Sequence, residues 1–293
     1  MGIFGVMPRR DELTFSQADG LEPLPAPLRL GELPETLRND IFNIVVLSLS
    51  EGVDDGELFG SWREAIFLKH TKFDHRPVDE LDLRYKTVKE ELKRFIIQRP
   101  YNNVFDLLQF LVRQEGSPRR IIEFLNRAFE EHQAAYRFIG TSIMPVATEQ
   151  EGATLRRAFA DMDGEEFGGA RAHLRAAGAA LSGGRAGDSV RESIHAVESV
   201  VRALTGKPKA TLSDALPLLK AETALHPAFE LGLHKLYAYT NDEGGIRHAL
   251  NAEDARVDEA DALFMLGACA SFVNYIIGKA RKLGLSVKPE TPC

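Results

Sequence analysis

Apolar residues along this chain recur mostly at helical spacing. Over 34–50, Leu37, Ile41, Ile44 and Val45 share one face. Pro34 stands at the start, where its missing N–H costs nothing. A short helix is predicted over 61–70. A strongly charged one follows over 78–97, with Leu81, Leu83, Val88 and Leu92 turned inward. Segments 103–113 and 118–132 read as a helical pair around Gly116-Ser117. Residues 13–33 mix prolines and glycines with short apolar pairs, which suits an extended arm lying on the surface rather than a helix. At 136–147 the period changes. Apolar and polar positions alternate around Gly140 in a stretch rich in β-branched and aromatic residues, so a small hairpin is expected.

Thr148–Gly152 reads as a linker. Beyond it the composition shifts to Ala, Leu, Gly and Arg, with almost no strand signal. Helices are expected over 149–162, 164–181, 188–205, 211–221, 226–238, 246–251 and 257–283. Their breaks fall at Gly164, Ser182-Gly183-Gly184, Gly206-Lys207-Pro208 and His226-Pro227. The expected fold is mainly α: an α-rich N-terminal domain with a small β-hairpin over 1–147, then an all-α helical bundle over 153–293.

Composition narrows the function classes. A hydrophobic share of 44% in 293 residues supports ordinary globular cores. A net charge of −7 opposes a protein that coats nucleic acid, although a local basic cleft remains compatible with it. The two cysteines, Cys269 and Cys293, make neither a disulfide framework nor a zinc site, which fits a reducing cytoplasm. Met1–Arg10 does not read as a signal peptide. The apolar run Ala262–Gly278 is interrupted by Ser271 and Asn274, so it reads as a buried core helix, and no membrane association is expected.

Two places carry candidate chemistry. On the 188–205 helix, Val190, Ile194, Val197, Val201 and Leu204 form a core-facing stripe, and Asp188 is placed to cap the helix. Arg191, His195, Glu198 and Arg202 repeat the spacing one residue later, about 100° around the axis. This second stripe is either a solvated face with i,i+4 pairs such as Glu198 with Arg202, or one wall of a charged cleft. The other place is Thr240-Asn241-Asp242-Glu243-Gly244-Gly245-Ile246-Arg247-His248. Two glycines permit a sharp turn, and Asp242 can cap a helix beginning near Ile246. Arg247 and His248 would then lie in its first turn, where free N–H groups favour an anion such as phosphate. An arginine that holds phosphate and a histidine that moves protons are the minimum set for metal-free RNA cleavage.

The other candidates are weaker. Arg63 to His70 and Arg127 to His132 have spacings that arise by chance in a chain with this many arginines and eight histidines. Arg127 and His132 read as decoration of an exposed helix face. His226 is a helix-boundary residue, His234 is structural, and His70 and His75 sit in a loop. No His, Cys, Asp or Glu spacing makes a convincing metal site. Phosphate-binding loops, nucleophile elbows and dinucleotide fingerprints are absent, and the Gly168-Gly169 and Gly183-Gly184 pairs read as helix punctuation. The basic run Lys86, Lys89, Lys93 and Arg94 is diluted by Glu90 and Glu91, a solvated helix face. Arg38 and Asn39 are expected to cap and pair locally.

Two groups of motifs resemble a bacterial family. Phe15-Ser16 with Gly20-Leu21, Leu37-Arg38-Asn39 with Phe42-Asn43, and Tyr136-Arg137-Phe138-Ile139 with Pro145 resemble the N-terminal domain of AbiJ-type abortive-infection proteins. The second half is similar to a HEPN-like domain through Ser193-Ile194-His195-Ala196-Val197-Glu198, Leu236-Tyr237, Asp242 to Ala249, Ala262 to Leu266 and Ser271 to Tyr275. The resemblance implies an anti-phage effector whose helical bundle pairs as a homodimer and cuts RNA, with tRNA among the candidate targets, without a metal or other cofactor. It implies His248 or His195 as the proton carrier and Arg247, with Arg191, as the phosphate-charge stabiliser. Asn241 and Arg202 would line the RNA. One departure matters: the usual Arg-x4-6-His is replaced by adjacent Arg247-His248, whose side chains leave a helix about 100° apart. His195 or a second subunit would have to complete the site. The alternatives are a non-catalytic module that dimerises and docks a partner protein of a defence complex, and a sensor of a small phosphate compound.

Overall fold

The computed structural model describes residues 15–19, 21, 26–114, 120–146, 148–207, 226–241 and 257–282. The fold is mainly α, as the periodicity predicts. In chain order come α1 (Phe15–Ala18), α2 (Glu35–Ser50), β1 (Val53–Asp54), β2 (Glu57–Leu58), α3 (Gly60–Leu68), α4 (Tyr85–Gln98), α5 (Tyr101–Val112) and α6 (Arg120–Glu131). They are followed by β3 (Tyr136–Ile139), β4 (Ser142–Pro145), α7 (Glu149–Asp161), α8 (Gly168–Ser182), α9 (Ala186–Thr205), α10 (Pro227–Asn241) and α11 (Glu259–Lys282).

Local chemistry accounts for the helix faces. Leu37, Ile41, Val45 and Leu49 of α2 lie one turn apart and are all buried. They meet Val88, Leu92 and Ile96 of α4 and Ile121, Leu125 and Phe129 of α6 in one apolar cluster. Arg38 ties this layer together through backbone. Its guanidinium donates to the carbonyls of Leu33 at 2.9 Å, Ile96 at 2.6 Å and Arg99 at 2.8 Å, satisfying the open end of α4. The expected local role of Arg38 therefore holds. A second cluster fills the space between α7, α8, α9 and α11. Phe138 and Tyr136 of the hairpin belong to the first cluster, and Ile139 and Met144 to the second.

The β3–β4 hairpin forms where alternation predicts it, with Tyr136 opposite Pro145 and Ile139 opposite Ser142. Gly140 opens its two-residue turn at φ +59, a value glycine adopts freely. α8 packs against β4 at close range. A Cβ on Gly178 would lie 2.9 Å from Met144 Cε and 3.4 Å from Pro145 Cδ, so only a residue without a side chain fits undisturbed.

Four expectations are corrected. The predicted extended arm contains α1, a single turn closed by Asp19 N–H to the Phe15 carbonyl at 3.0 Å. The predicted helix over 78–97 is split. Val78–Glu80 makes one tight turn, Leu81 to Arg84 runs extended, and α4 starts at Tyr85. The reason is pairing: Leu58 N–H donates to the Leu83 carbonyl and Tyr85 N–H to that of Gly56, so the β1–β2 hairpin, which periodicity did not reveal, captures the segment. The Leu81 and Leu83 spacing of two suits that use. At Lys69–Phe73 the chain forms a wide π-helical turn, which buries His70 rather than leaving it in a loop. Finally, α9 begins at Ala186, with Arg185 in the cap position. Asp188 lies inside the first turn and pairs with Arg185 and Arg191 instead of capping.

Among the described residues, α11 is long and apolar enough to cross a membrane, and half of its apolar window is buried inside the fold. It packs against α7, α8 and α9, burying Met265, Leu266, Cys269, Val273 and Ile277. The expectation of a core helix matches this packing. Burial raises the Cys269 thiol to a pKa of about 12, so it carries no thiolate chemistry at neutral pH.

Candidate functional site

The α8–α9 helical hairpin builds the most concentrated polar site among the described residues that contains a sequence-predicted residue. The two helices are joined by residues 183–185 and run side by side along their length. The predicted core stripe of α9 is confirmed, with Val190, Ile194, Val197, Val201 and Leu204 all buried. His195 lies at the edge of that buried face and is half-buried. Burial lowers the proton affinity of its imidazole, Glu198 and Glu192 raise it, and His173 and Arg202 lower it again; the net direction is down. His195 is therefore neutral around pH 7, the form that accepts a proton or binds a metal.

His173, on α8, faces this edge. Its Nδ1 lies 2.7 Å from Glu192 Oε2. A carboxylate only accepts, so Nδ1–H of His173 is the donor. The His173 and His195 rings meet edge to face at 5.3 Å between centroids. One ligand atom each from His173, Glu192 and His195 lie within 4.8 Å of one another, and all three residues are partly open to solvent.

The arginines of the predicted stripe are engaged locally. Arg202 Nη2 donates to Glu198 Oε2 at 3.0 Å, the i,i+4 pair expected from spacing. Glu198 is buried, with 6% of its surface exposed, so this ion pair is shielded more than an ordinary surface pair. Arg191 pairs with Asp188 one turn earlier. Arg247 and His248 lie outside the described residues. Asn241 ends α10, and its side chain is likewise outside them. So the structure brings His195, Arg191 and Arg202 onto one helix, with Asn241 placed only by backbone.

Sequence reasoning missed His173 and Glu192. Glu192 precedes His195 by three residues, a same-face spacing that a helical projection reveals. His173 is nineteen residues from Glu192, and only the register of the α8–α9 hairpin brings the two together.

Several other polar groups make structural contacts. Lys69 is buried and bonds Asp74 at 2.6 Å, with Glu91 at 3.6 Å. His70 Nε2 donates to the Pro77 carbonyl at 2.6 Å. His132 does not merely decorate a face: its Nε2 lies 2.7 Å from Asp40 Oδ2 and joins α6 to α2. His226 Nδ1 accepts from Ala228 N–H at 3.2 Å, which fits a helix-boundary role. A cleft of about 560 Å³ between α5, β4 and α8 is lined by Asp106, Gln109, Arg113 and Arg175. Its charged residues are largely solvated.

No curated protein and no solved structure matches the chain. A family model described as AbiJ N-terminal domain 4 matches residues 13–161, from the segment before α1 to the end of α7. That span takes in the β3–β4 hairpin and the α2, α4 and α6 layer, where the resembling motifs lie. By this match over half of its length, the chain belongs to the AbiJ N-terminal domain 4 family.

Proposed function

We propose that this chain is an abortive-infection effector whose C-terminal half is HEPN-like and cleaves RNA without a metal. The AbiJ domain points to the abortive-infection role. The observation that carries the nuclease reading is the placement of His195: half-buried, neutral by burial, and beside a second histidine on a polar helix edge. In this reading a histidine takes the proton from a ribose 2′-hydroxyl, and the 2′-oxygen attacks phosphorus. The bond to the 5′-oxygen breaks, and a second, protonated histidine supplies that oxygen with a proton. The products are a 2′,3′-cyclic phosphate and a 5′-hydroxyl end. His195 and His248 are the assigned proton carriers. Arg247 stabilises charge on the phosphoryl oxygens, and Arg191, Asn241 and Arg202 line the RNA. DNA, lacking the 2′-hydroxyl, is spared. The site acts in the cytoplasm of a bacterial cell and is completed in a homodimer.

The test is cleavage of total tRNA and a generic single-stranded RNA in EDTA, with Arg247→Ala, His248→Ala and His195→Ala alongside. Cyclic-phosphate ends from the wild type, reduced at least about 100-fold in folded variants, are expected. Intact RNA, or cleavage that survives all three substitutions, would sink this assignment. A second reading is favoured by one observation: Arg191 and Arg202 already meet carboxylates of their own helix. In that reading the polar edge of α9 docks a partner protein of a defence complex and cuts nothing.

A further inference from the structure

The three side chains that meet across the α8–α9 hairpin have the composition of a metal site. Two imidazoles and one carboxylate are a donor set that zinc takes in open, three-ligand sites, leaving a fourth position for water or a ligand. Zinc bonds of about 2.0–2.1 Å in a tetrahedron put ligand atoms roughly 3.4 Å apart. Here the three atoms lie within 4.8 Å of one another, and the His173 Nδ1 to Glu192 Oε2 distance is 2.7 Å. Bringing them to zinc distance takes side-chain shifts on the order of 1 Å, and the metal would displace the proton that His173 Nδ1 shares with Glu192.

The scaffold suits the purpose. Glu192 and His195 stand three apart on one helix, so their positions relative to each other are fixed by helix geometry. His173 comes from the neighbouring helix, and α8 and α9 share buried Ala170, Leu174, Ala177, Val190 and Val197 in one core. Partial exposure of all three gives an entry path for the ion. Glu198, three residues beyond His195 on the same helix, is held in place by Arg202.

We propose that His173, Glu192 and His195 bind one zinc ion per chain, with the fourth coordination position open. This does not rest on the nuclease reading, because binding is read without RNA, and it competes with that reading for His195: zinc takes the imidazole lone pair that would accept the ribose proton, so in the zinc-bound chain His195 is not the proton carrier. The other close histidine–carboxylate contact, His132 with Asp40, has no third ligand grouped with it among the described residues, so it serves as an internal control.

The test uses the full chain, stripped with chelator, dialysed and titrated with Zn2+ in a calorimeter. Co2+ replaces zinc for absorption spectra, and each variant is checked for folding by its thermal melt. One equivalent of zinc is expected, with a four-coordinate Co2+ spectrum. His173→Ala and Glu192→Gln should each weaken zinc binding at least about tenfold, since removing even a group behind the ligands costs that much. His132→Ala should leave it unchanged. The Glu192→Gln change keeps size and polarity, so it remains informative if His173→Ala fails to fold. Absence of zinc uptake by the wild type overturns the proposal. So does uptake that His173→Ala and Glu192→Gln leave intact.

Discussion

Arg137 shows how much one residue can hold. The residue is 6% exposed, and its guanidinium donates to the carbonyls of Ala134 at 2.8 Å and Tyr136 at 2.7 Å. Glu130 and Glu149 approach its Nε at 3.6 and 3.5 Å, one from α6 and one from α7. Burial lowers its pKa and the two carboxylates oppose that, so the charge is kept by its partners. The carboxylates are themselves half-exposed and recover water when the arginine is lost, which limits the cost of removing it. Arg137→Ala is expected to lower stability by about 2–3 kcal/mol, read from urea denaturation. Arg137→Lys should recover less than half, because an ammonium cannot span two carbonyls and two carboxylates. Full recovery by lysine would show that only the charge mattered. Nothing in the Tyr136–Ile139 pattern marks Arg137 as buried, since alternation places it on a polar face. By contrast, the Glu198–Arg202 pair was legible, because i,i+4 spacing on a helix fixes proximity without reference to the rest of the fold.

At the scale of elements, the described helices of the second half follow their 3.6-residue period closely, and α7, α9 and α11 begin and end within two residues of expectation; the helices expected over 211–221 and 246–251 lie outside the described residues. α7 begins with Thr148 and Glu151 bonding each other's backbone N–H, a capping box that local sequence alone supplies. The largest error fell where one segment is claimed by another. Leu81 to Arg84 left the helical pattern because β2 offered hydrogen bonds that only tertiary proximity provides. The approach of α8 to β4 is of the same kind, and it makes Gly178 a sensitive position. Gly178→Val is expected to cost about 1–3 kcal/mol, since branched methyls would push Met144 and Pro145 away. Gly178→Ala should be nearly neutral: the closest atom is the mobile end of Met144, and alanine's helix preference offsets the crowding by up to about 1 kcal/mol. Denaturation midpoints of the two variants check this. Equal losses would mean that β4 cannot yield at all.

For the whole molecule, the hairpin is the shared element. Tyr136 and Phe138 face one apolar cluster, Ile139 and Met144 the other. Tyr101 of α5 adds a hydrogen bond to the Ser182 carbonyl at the end of α8, at 2.9 Å. Clusters that share a buried hairpin lose contacts on both sides when either unfolds. Scanning calorimetry of the intact chain is therefore expected to show one transition, with calorimetric and van't Hoff enthalpies in agreement. A fragment of residues 1–147 should melt well below it, because Ile139, Met144 and Val146 would lose their cover. Two resolved transitions, or a fragment as stable as the parent, would show that the two clusters fold independently.

Helical periodicity, the apolar faces of α2 and α9, the β3–β4 turn and the family motifs were determined by the sequence alone, since each depends on residues a few positions apart. The joining of His173 to Glu192 and His195, the burial of Arg137 and Lys69, and the capture of Leu81 to Arg84 by β2 were decided only in the tertiary structure. The physical reason is range. A helical turn fixes neighbours three and four residues apart, whereas contacts across nineteen residues or more depend on how helices pack and on the register of the turns that join them.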